Sequence, residues 1–331
     1  MFSLLNLTGL NQAKRGCMKR RINLFFLGFI LLNGAFAQTD PVSSHYMFNH
    51  MLYNPGSAGS SGMICATAMT RQQWVGFEGA PSSIVFHINA AVRPFGVSSG
   101  VGLTIMNDKT GFDNDNTLAL TYAYRADVGN GKLGIGLNLG MLNKVVDPSW
   151  NIPSGEQFVP ANGDPLIPEG KESIIAFDMG LGLYYSTANY YAGISVTHLN
   201  EPKIKYTKGT PYVARQFYGT AGYYIRMPNP SFELIPSVFV FTDGKIVQFT
   251  VNSMVRYNKK VWGGVSYRAG DALTGIIGIE LYNGIRIGYA YDFPLNDIRK
   301  STSGSHEFLV NYCFDLSLGR SSMRYKSIRF L

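Results

Sequence analysis

From residue 63 to residue 316 the chain alternates along nearly its whole length, every second residue apolar and those between small, polar or charged, in about fourteen short runs. Successive side chains of a strand point to opposite faces, so each run has one greasy face and one small or polar face. Leu133, Ile135, Leu137, Leu139 and Met141 share one face, with Gly134, Gly136, Asn138 and Gly140 on the other. Ile84, Phe86, Ile88, Ala90 and Val92 repeat the pattern, as do Phe177, Met179, Leu181 and Leu183 against Asp178, Gly180 and Gly182. Phe308, Val310, Tyr312 and Phe314 repeat it last, opposite Glu307, Asn311 and Asp315. A helix would scatter these residues round its axis, and each interior glycine would weaken it by about 1 kcal/mol relative to alanine.

The alternation predicts strands at 63–73, 83–92, 97–106, 117–127, 132–142, 174–185, 190–198, 215–226, 232–241, 246–257, 261–268, 274–281, 285–293 and 305–316. The connections alternate too. Arg93-Pro94-Phe95-Gly96, Val128-Gly129-Asn130-Gly131, Ser186-Thr187-Ala188-Asn189, Met227-Pro228-Asn229-Pro230, Asn258-Lys259-Lys260 and Tyr282-Asn283-Gly284 are tight turns. At the other strand ends, 143–173, 199–214 and 294–304 are long, while Thr242-Asp243-Gly244-Lys245 is short. Together these features predict an all-β fold, a transmembrane antiparallel barrel of about 14 strands with a polar lumen, long extracellular loops and short periplasmic turns. An even strand number returns the barrel to its starting side, so both termini are expected in the periplasm. A soluble sandwich would turn the apolar face inward and needs fewer strands.

Residues 1–37 read as an export signal. Lys14, Arg15, Lys19, Arg20 and Arg21 precede the apolar stretch 22–32, and Ala35-Phe36-Ala37 offers a cleavage site before Gln38. Met18 is an alternative start, and the apolar run is too short for a spanning helix. Removing five cations and no anion lowers the formal charge of +8 to +3, so the basic balance is largely targeting and does not point to nucleic acid. The domain reading is then a signal at 1–37, an N-terminal periplasmic or plug segment at 38–62, the outer-membrane barrel at 63–316 and a basic periplasmic tail at 317–331. In that tail Arg320, Arg324, Lys326 and Arg329 surround Tyr325 and Phe330, as a solvated extension or a docking strand.

Cys65 and Cys313 are the cysteines left after cleavage. They fall on the first and last strands, which become neighbours when a barrel closes. They are either two small lumen residues or a disulfide across the closing seam, which an oxidising compartment permits.

The mature chain opens with Asp40-Pro41, Tyr46-Met47-Phe48-Asn49 and Tyr53-Asn54-Pro55-Gly56-Ser57-Ala58-Gly59, followed by Arg71-Gln72-Gln73-Trp74-Val75-Gly76-Phe77 and Gly79-Ala80-Pro81. With Asn107-Asp108-Lys109-Thr110-Gly111, Tyr122-Ala123-Tyr124-Arg125 and Gly304-Ser305-His306-Glu307, this series resembles the PorP/SprF family of outer-membrane proteins of type IX secretion and gliding. The resemblance implies a non-enzymatic barrel that works with periplasmic and outer-membrane secretion components or holds a secreted surface protein such as an adhesin. The chain departs from the family pattern at His50 and in the long proline-rich loop 143–173.

Read as chemistry, Asn54-Pro55-Gly56 is a turn ahead of the first strand. Tyr46, Phe48 and Tyr53 are too many aromatics for a solvated linker, so residues 40–60 are expected to pack on the barrel, as a lumen plug or at its base. Arg71 and Gln73 share the lumen face with Thr67, Arg71 as an ion-pair partner in preference to a substrate ligand. Trp74 is assigned to the opposite face at the outer aromatic girdle. Ser305-His306-Glu307 resembles a hydrolytic triad only in writing, because strand neighbours point apart. Asp113-Asn114-Asp115-Asn116 lacks the glycine and distal glutamate of a calcium loop and is read as a polar turn. No cofactor, metal or catalytic set is expected. Outer-membrane lipids, an exported protein and secretion components are the expected partners, with strand addition as one mode of recognition. The alternative is a solute channel whose selectivity comes from Arg71, Arg125, Asp178, Arg256, Arg268 and Arg286.

Overall fold

The computed structural model describes residues 40–148, 170–282 and 284–315. The expected signal, the centre of the loop 143–173 and the basic tail lie outside the described residues. Strands run in the order β1 (Ile64–Gln72), β2 (Ser82–Val92), β3 (Ser99–Thr110), β4 (Asp113–Val128), β5 (Gly131–Val146), β6 (Glu172–Ser186) and β7 (Tyr190–Thr197). They continue as β8 (Gln216–Tyr223), β9 (Ile225–Arg226), β10 (Phe232–Thr242), β11 (Val247–Tyr257), β12 (Val261–Arg268), β13 (Ala272–Glu280), β14 (Ile285–Pro294) and β15 (Ser305–Phe314). β8 and β9 both pair with β10 and form one stave interrupted at Tyr224. β10 also pairs with β11, and β1 pairs with both β15 and β2, so the antiparallel sheet closes as a barrel of 14 staves.

Closure removes the open edges that a membrane would not tolerate. The exterior is the face the alternation assigns to lipid: Ile84, Phe86, Ile135, Leu139, Phe177, Ile277 and Phe308 are all exposed. The opposite face of the strands, with Thr67, Val85, Asp178 and Glu307, is buried inside. No helix among the described residues is long and apolar enough to cross a membrane.

Three expectations change. The first concerns strand length: β3 and β4 run on to a short connection at Gly111-Phe112, and Asp113–Asn116 is strand, not turn. Past the apolar band a strand can be polar on both faces. Here Asn107 Nδ2 donates to Asn114 and Asn116 (2.6 and 2.9 Å), and Asp115 pairs with Lys144.

The second concerns the interior, which is not a uniformly polar lumen. Tyr218, Ile235, Phe239, Phe241, Met254, Trp262 and Ile276 line one wall and form a buried apolar cluster with Tyr46, Met47 and Tyr53. A lumen filled with protein is a core, and a core favours apolar burial.

The third concerns direction. Asp40 lies at the long-loop end, where it bonds Gln216 and His198, while Phe314 lies at the tight-turn end, paired with Ile64. The even stave count does set the ends of the barrel on one side. The segment before β1, however, runs back through the lumen, so the two ends of the described barrel and plug lie at opposite ends of the cylinder.

Candidate functional site

The lumen is occupied by residues 40–59. From Asp40 the segment descends past Ser43 and Ser44, forms one helical turn, α1 (His50–Tyr53), then a 3-10 turn at Pro55–Ser57, and reaches the start of β1. The two turns are joined by Asn54, whose Oδ1 accepts from Gly56 N at 2.9 Å and whose Nδ2 donates to wall carbonyls of Leu183 (2.9 Å) and Ile194 (3.2 Å). Pro55 sits at the first position of the 3-10 turn, where its missing N–H is not needed. The predicted turn is therefore also an anchor, its carboxamide spanning β6 and β7.

The wall has a recess for it. A Cβ on Gly134 or Gly136 would overlap the backbone of Gly56, and one on Gly100 would overlap Ala58. Gly182 instead makes room for the side chains of Asn54 and Pro55. At Gly100, Gly134 and Gly136 glycine is required by the close approach of two backbones, and the glycine-rich face of the strands is a fitted groove.

Above the groove, Tyr46 stacks on Phe239 (5.0 Å between centroids) and its hydroxyl meets Ser237 Oγ at 2.9 Å. Tyr53 meets Phe239 edge-on at 4.9 Å and its hydroxyl accepts from Ser43 N at 2.6 Å. Phe48, half-buried, leans on Trp262 at 5.1 Å. Asn49 Oδ1 meets His87 Nε2 of β2. The aromatics that argued against a solvated linker are those that fill the cylinder.

The charged pin of the plug joins β1, β14 and β15. Arg71 is buried, with Nη2 2.6 Å from Asp292 Oδ2 and Nη1 3.1 Å from Glu307 Oε2. Glu307, fully enclosed, accepts from Ser43 Oγ (2.8 Å), Ser44 N (2.8 Å) and His45 N (2.9 Å), and meets His45 Nδ1 at 2.7 Å. Ser44 Oγ donates to Asp292 Oδ1 at 2.7 Å, and Arg268 stands 3.4 Å from Asp292. Unpaired charges cannot be buried this deeply, so strand carboxylates, Arg71 and plug backbone satisfy one another.

A second pin lies at the long-loop end. His198 follows β7 with φ 51, its Nδ1 3.0 Å from Asp178 Oδ1 and its Nε2 3.0 Å from Asp40 Oδ2. Burial works against the imidazolium, but the charges and hydrogen bonds of Asp40 and Asp178 outweigh it and raise its pKa to about 10. Burial likewise works against the Asp40 carboxylate, and His198 outweighs it, holding that group below its ordinary value.

Among the residues singled out from sequence, Tyr46, Phe48, Tyr53, Asn54 and Pro55 converge in the plug, and Arg71 pins it. Gln73 and Trp74 do not join them. β1 ends at Gln72, Gln73 N donates to Pro81 O (2.9 Å), and Trp74 takes φ 54 with its N–H on Ser305 Oγ (3.1 Å). Strand parity stops at Gln72, so it assigns neither of them a face. Cys65 and Cys313 are in register on β1 and β15 and joined by a disulfide across the seam. Ser305 and Glu307 are buried while His306 turns away to Tyr289, 2.8 Å from its hydroxyl. The charges of the channel reading are engaged too. Arg125 donates to Ala58 O (3.3 Å), Asp178 meets His198, Arg256 meets Glu233, and Arg286 meets Glu280 (2.7 Å).

Sequence reasoning missed Glu307, Asp292, Ser43, Ser44 and His45 as one network. The signal was present: an inward arginine on the first strand calls for inward carboxylates on its neighbours, and β15 is one of them.

An apolar exterior, a closed antiparallel sheet and a lumen filled by the chain's own leading segment define an outer-membrane β-barrel of the plugged type. The model of the family described as "Type IX secretion system membrane protein PorP/SprF" matches residues 35–312, and the chain belongs to that family. Its role is accordingly that of an outer-membrane barrel of type IX secretion. The chain is also similar to solved barrels. The toluene transporter TbuX of Ralstonia pickettii is 13% identical over 79% of this chain and 90% of that one, with TM-score 0.44. The toluene transporter TodX of P. putida is 11% identical over 81% and 94%, with TM-score 0.43. The translocator domain of the autotransporter NalP of Neisseria meningitidis is 13% identical over 92% and 98%, with TM-score 0.39. No curated protein matches the chain.

Proposed function

We propose that this barrel is a non-enzymatic partner of the type IX machinery that assists the export, or holds at the surface, of a secreted protein such as an adhesin. In this reading the tight turns and the basic tail face the periplasm and its secretion components, and the long-loop end faces the exported protein. The observation that carries it is the filled lumen: with residues 40–59 seated in the wall and the inward charges bonded to wall or plug, recognition falls to the loops and rims. A solute channel would need an aqueous path lined by free charge, and the ion pairs of Arg71, Asp178 and Arg268, with Arg125 bonded to the plug carbonyl of Ala58, argue against one.

The test is deletion of the gene with surface proteins followed by protease shaving and quantitative proteomics. Loss of a defined surface protein, with that protein or secretion components recovered on purification from native membranes, supports the reading. An unchanged surface, together with a steady open pore in planar bilayers, would replace it with the channel.

A further inference from the structure

A closed barrel has no free strand edge, yet this one leaves part of an edge bare. β6 pairs with β5 over its full length, Glu172–Ser186, but with β7 only over Leu181–Ser186. The partner strand stops because His198, held inward by Asp178 and Asp40, takes φ 51 and turns the chain off the wall. Asn200 then caps the end of the ladder. Its Oδ1 accepts from Met179 N (3.1 Å), its Nδ2 donates to Phe177 O (2.7 Å), and Leu199 N donates to Met179 O (2.8 Å).

Backbone groups alternate sides along a strand, so the N–H of Phe177 and both groups of Ile175 and Ser173 face the same way as those of Met179. Among the described residues no strand pairs with them. Instead an open groove separates this edge from residues 200–205. Ile175 and Phe177 are exposed on one side of it. On the other side Ile204 is buried and Lys203 and Lys205 point out, with no ion-pair partner among the described residues.

We propose that this groove is a strand-addition site for an extended segment of the exported polypeptide. The incoming strand pairs with β6 at Ser173–Phe177, sets alternate apolar side chains against Ile175 and Phe177, and places carboxylates against Lys203 and Lys205. The inference rests on the partner-binding reading above and gives it a location.

The experiment uses the full mature chain in detergent micelles and a fluorescent octapeptide that alternates Val with Thr and carries two Glu. Its arms are Ile175→Pro, Lys203→Glu with Lys205→Glu, and a peptide N-methylated at alternate residues. Proline at 175 removes an N–H that faces the groove and leaves the β5 ladder, which uses the even-numbered residues, intact. Peptide binding is expected to weaken about tenfold with Ile175→Pro, as the loss of an edge hydrogen bond and of the strand fit predicts. The lysine reversals are expected to weaken it about fivefold, more at low salt. The N-methylated peptide, which tests the edge without altering the protein, is expected not to bind.

No binding, or binding indifferent to N-methylation, overturns the proposal. So does protection of the Ser173 and Ile175 amides from hydrogen exchange in the protein alone, which would mean that residues 149–169 cover the edge, or dimerisation through it. In cells the two levels separate. Surface display lost on gene deletion but kept by Ile175→Pro sinks the edge site and leaves the partner role standing, whereas display unaffected by deletion sinks the role itself.

Discussion

Arg71 and Glu307 face each other in register across the seam where β1 meets β15, Nη1 3.1 Å from Oε2, and the backbone of Ser44 and His45 is bonded to the same carboxylate. One ion pair thus fixes both the closure of the barrel and the seat of the plug. Glu307→Ala leaves Arg71 buried with Asp292 as its remaining counter-charge, beside the Ser44 hydroxyl, and takes the acceptor from the Ser44 amide. Breaking a buried pair from one side costs ~3–5 kcal/mol, and that loss is expected here. It is read as a lower temperature for the shift from folded to unfolded mobility on semi-native gels. A variant that melts with the wild type would show that the network adds nothing to closure.

Gly136 and Gly134 test the groove separately from the charges. The wild-type protein is expected to show little steady conductance in planar bilayers, because its lumen is filled. Gly136→Val adds a side chain where Gly56 and Pro55 lie, on a face that is otherwise strand wall. Overpacking of this kind typically costs about 1–3 kcal/mol, and the plug can escape it by leaving. A folded barrel with a persistent open level, and with residues 40–59 newly cut by added protease, is the expected result. A variant as closed as the wild type would show that the plug is held without the groove.

The contrast between these two sites explains what was legible beforehand. The strands could be read because lipid on one side and protein on the other impose a period of two, visible at Leu133–Met141 with no knowledge of any partner strand. Tyr46, Phe48 and Tyr53 marked their segment for burial by composition alone. The fit of Gly56 against Gly134 and Gly136 could not be read, because it depends on how far the leading segment descends before β1 begins. Glu307 was hidden for a related reason: its role requires the register of β1 on β15, which closure sets and local sequence does not. The long-loop ends of β3 and β4 read as loop because residues 107–110 and 113–116 lie past the apolar band, where alternation carries no signal.

Cys65 and Cys313 close the seam covalently near the tight-turn end, 248 residues apart in sequence. Maleimide is expected to label neither in the oxidised, denatured protein and both after reduction. Cys65→Ser is expected to lower stability by about 2–4 kcal/mol, with the usual dependence on how far the unfolded chain is constrained. Two thiols reactive before reduction would end the assignment.

His198 and Asp40 give the leading end of the plug a pH dependence whose sign follows from their shifts. His198 has its pKa raised from 6.5 to about 10, so its contribution is complete below about pH 6.5 and is lost as the pH rises toward 10. Asp40 has its pKa lowered from 3.8, so its contribution is present above that value and is lost only in stronger acid. The pin is therefore strongest from about pH 4 to 6.5 and loosens in alkali. Asp40→Asn removes one side of it, and thermal midpoints of wild type and variant should differ most near pH 6 and converge toward pH 10. A gap that stays constant across this range would mean that Asp40 acts by shape or neutral hydrogen bonding, and that the imidazolium is not what holds the plug at the long-loop end.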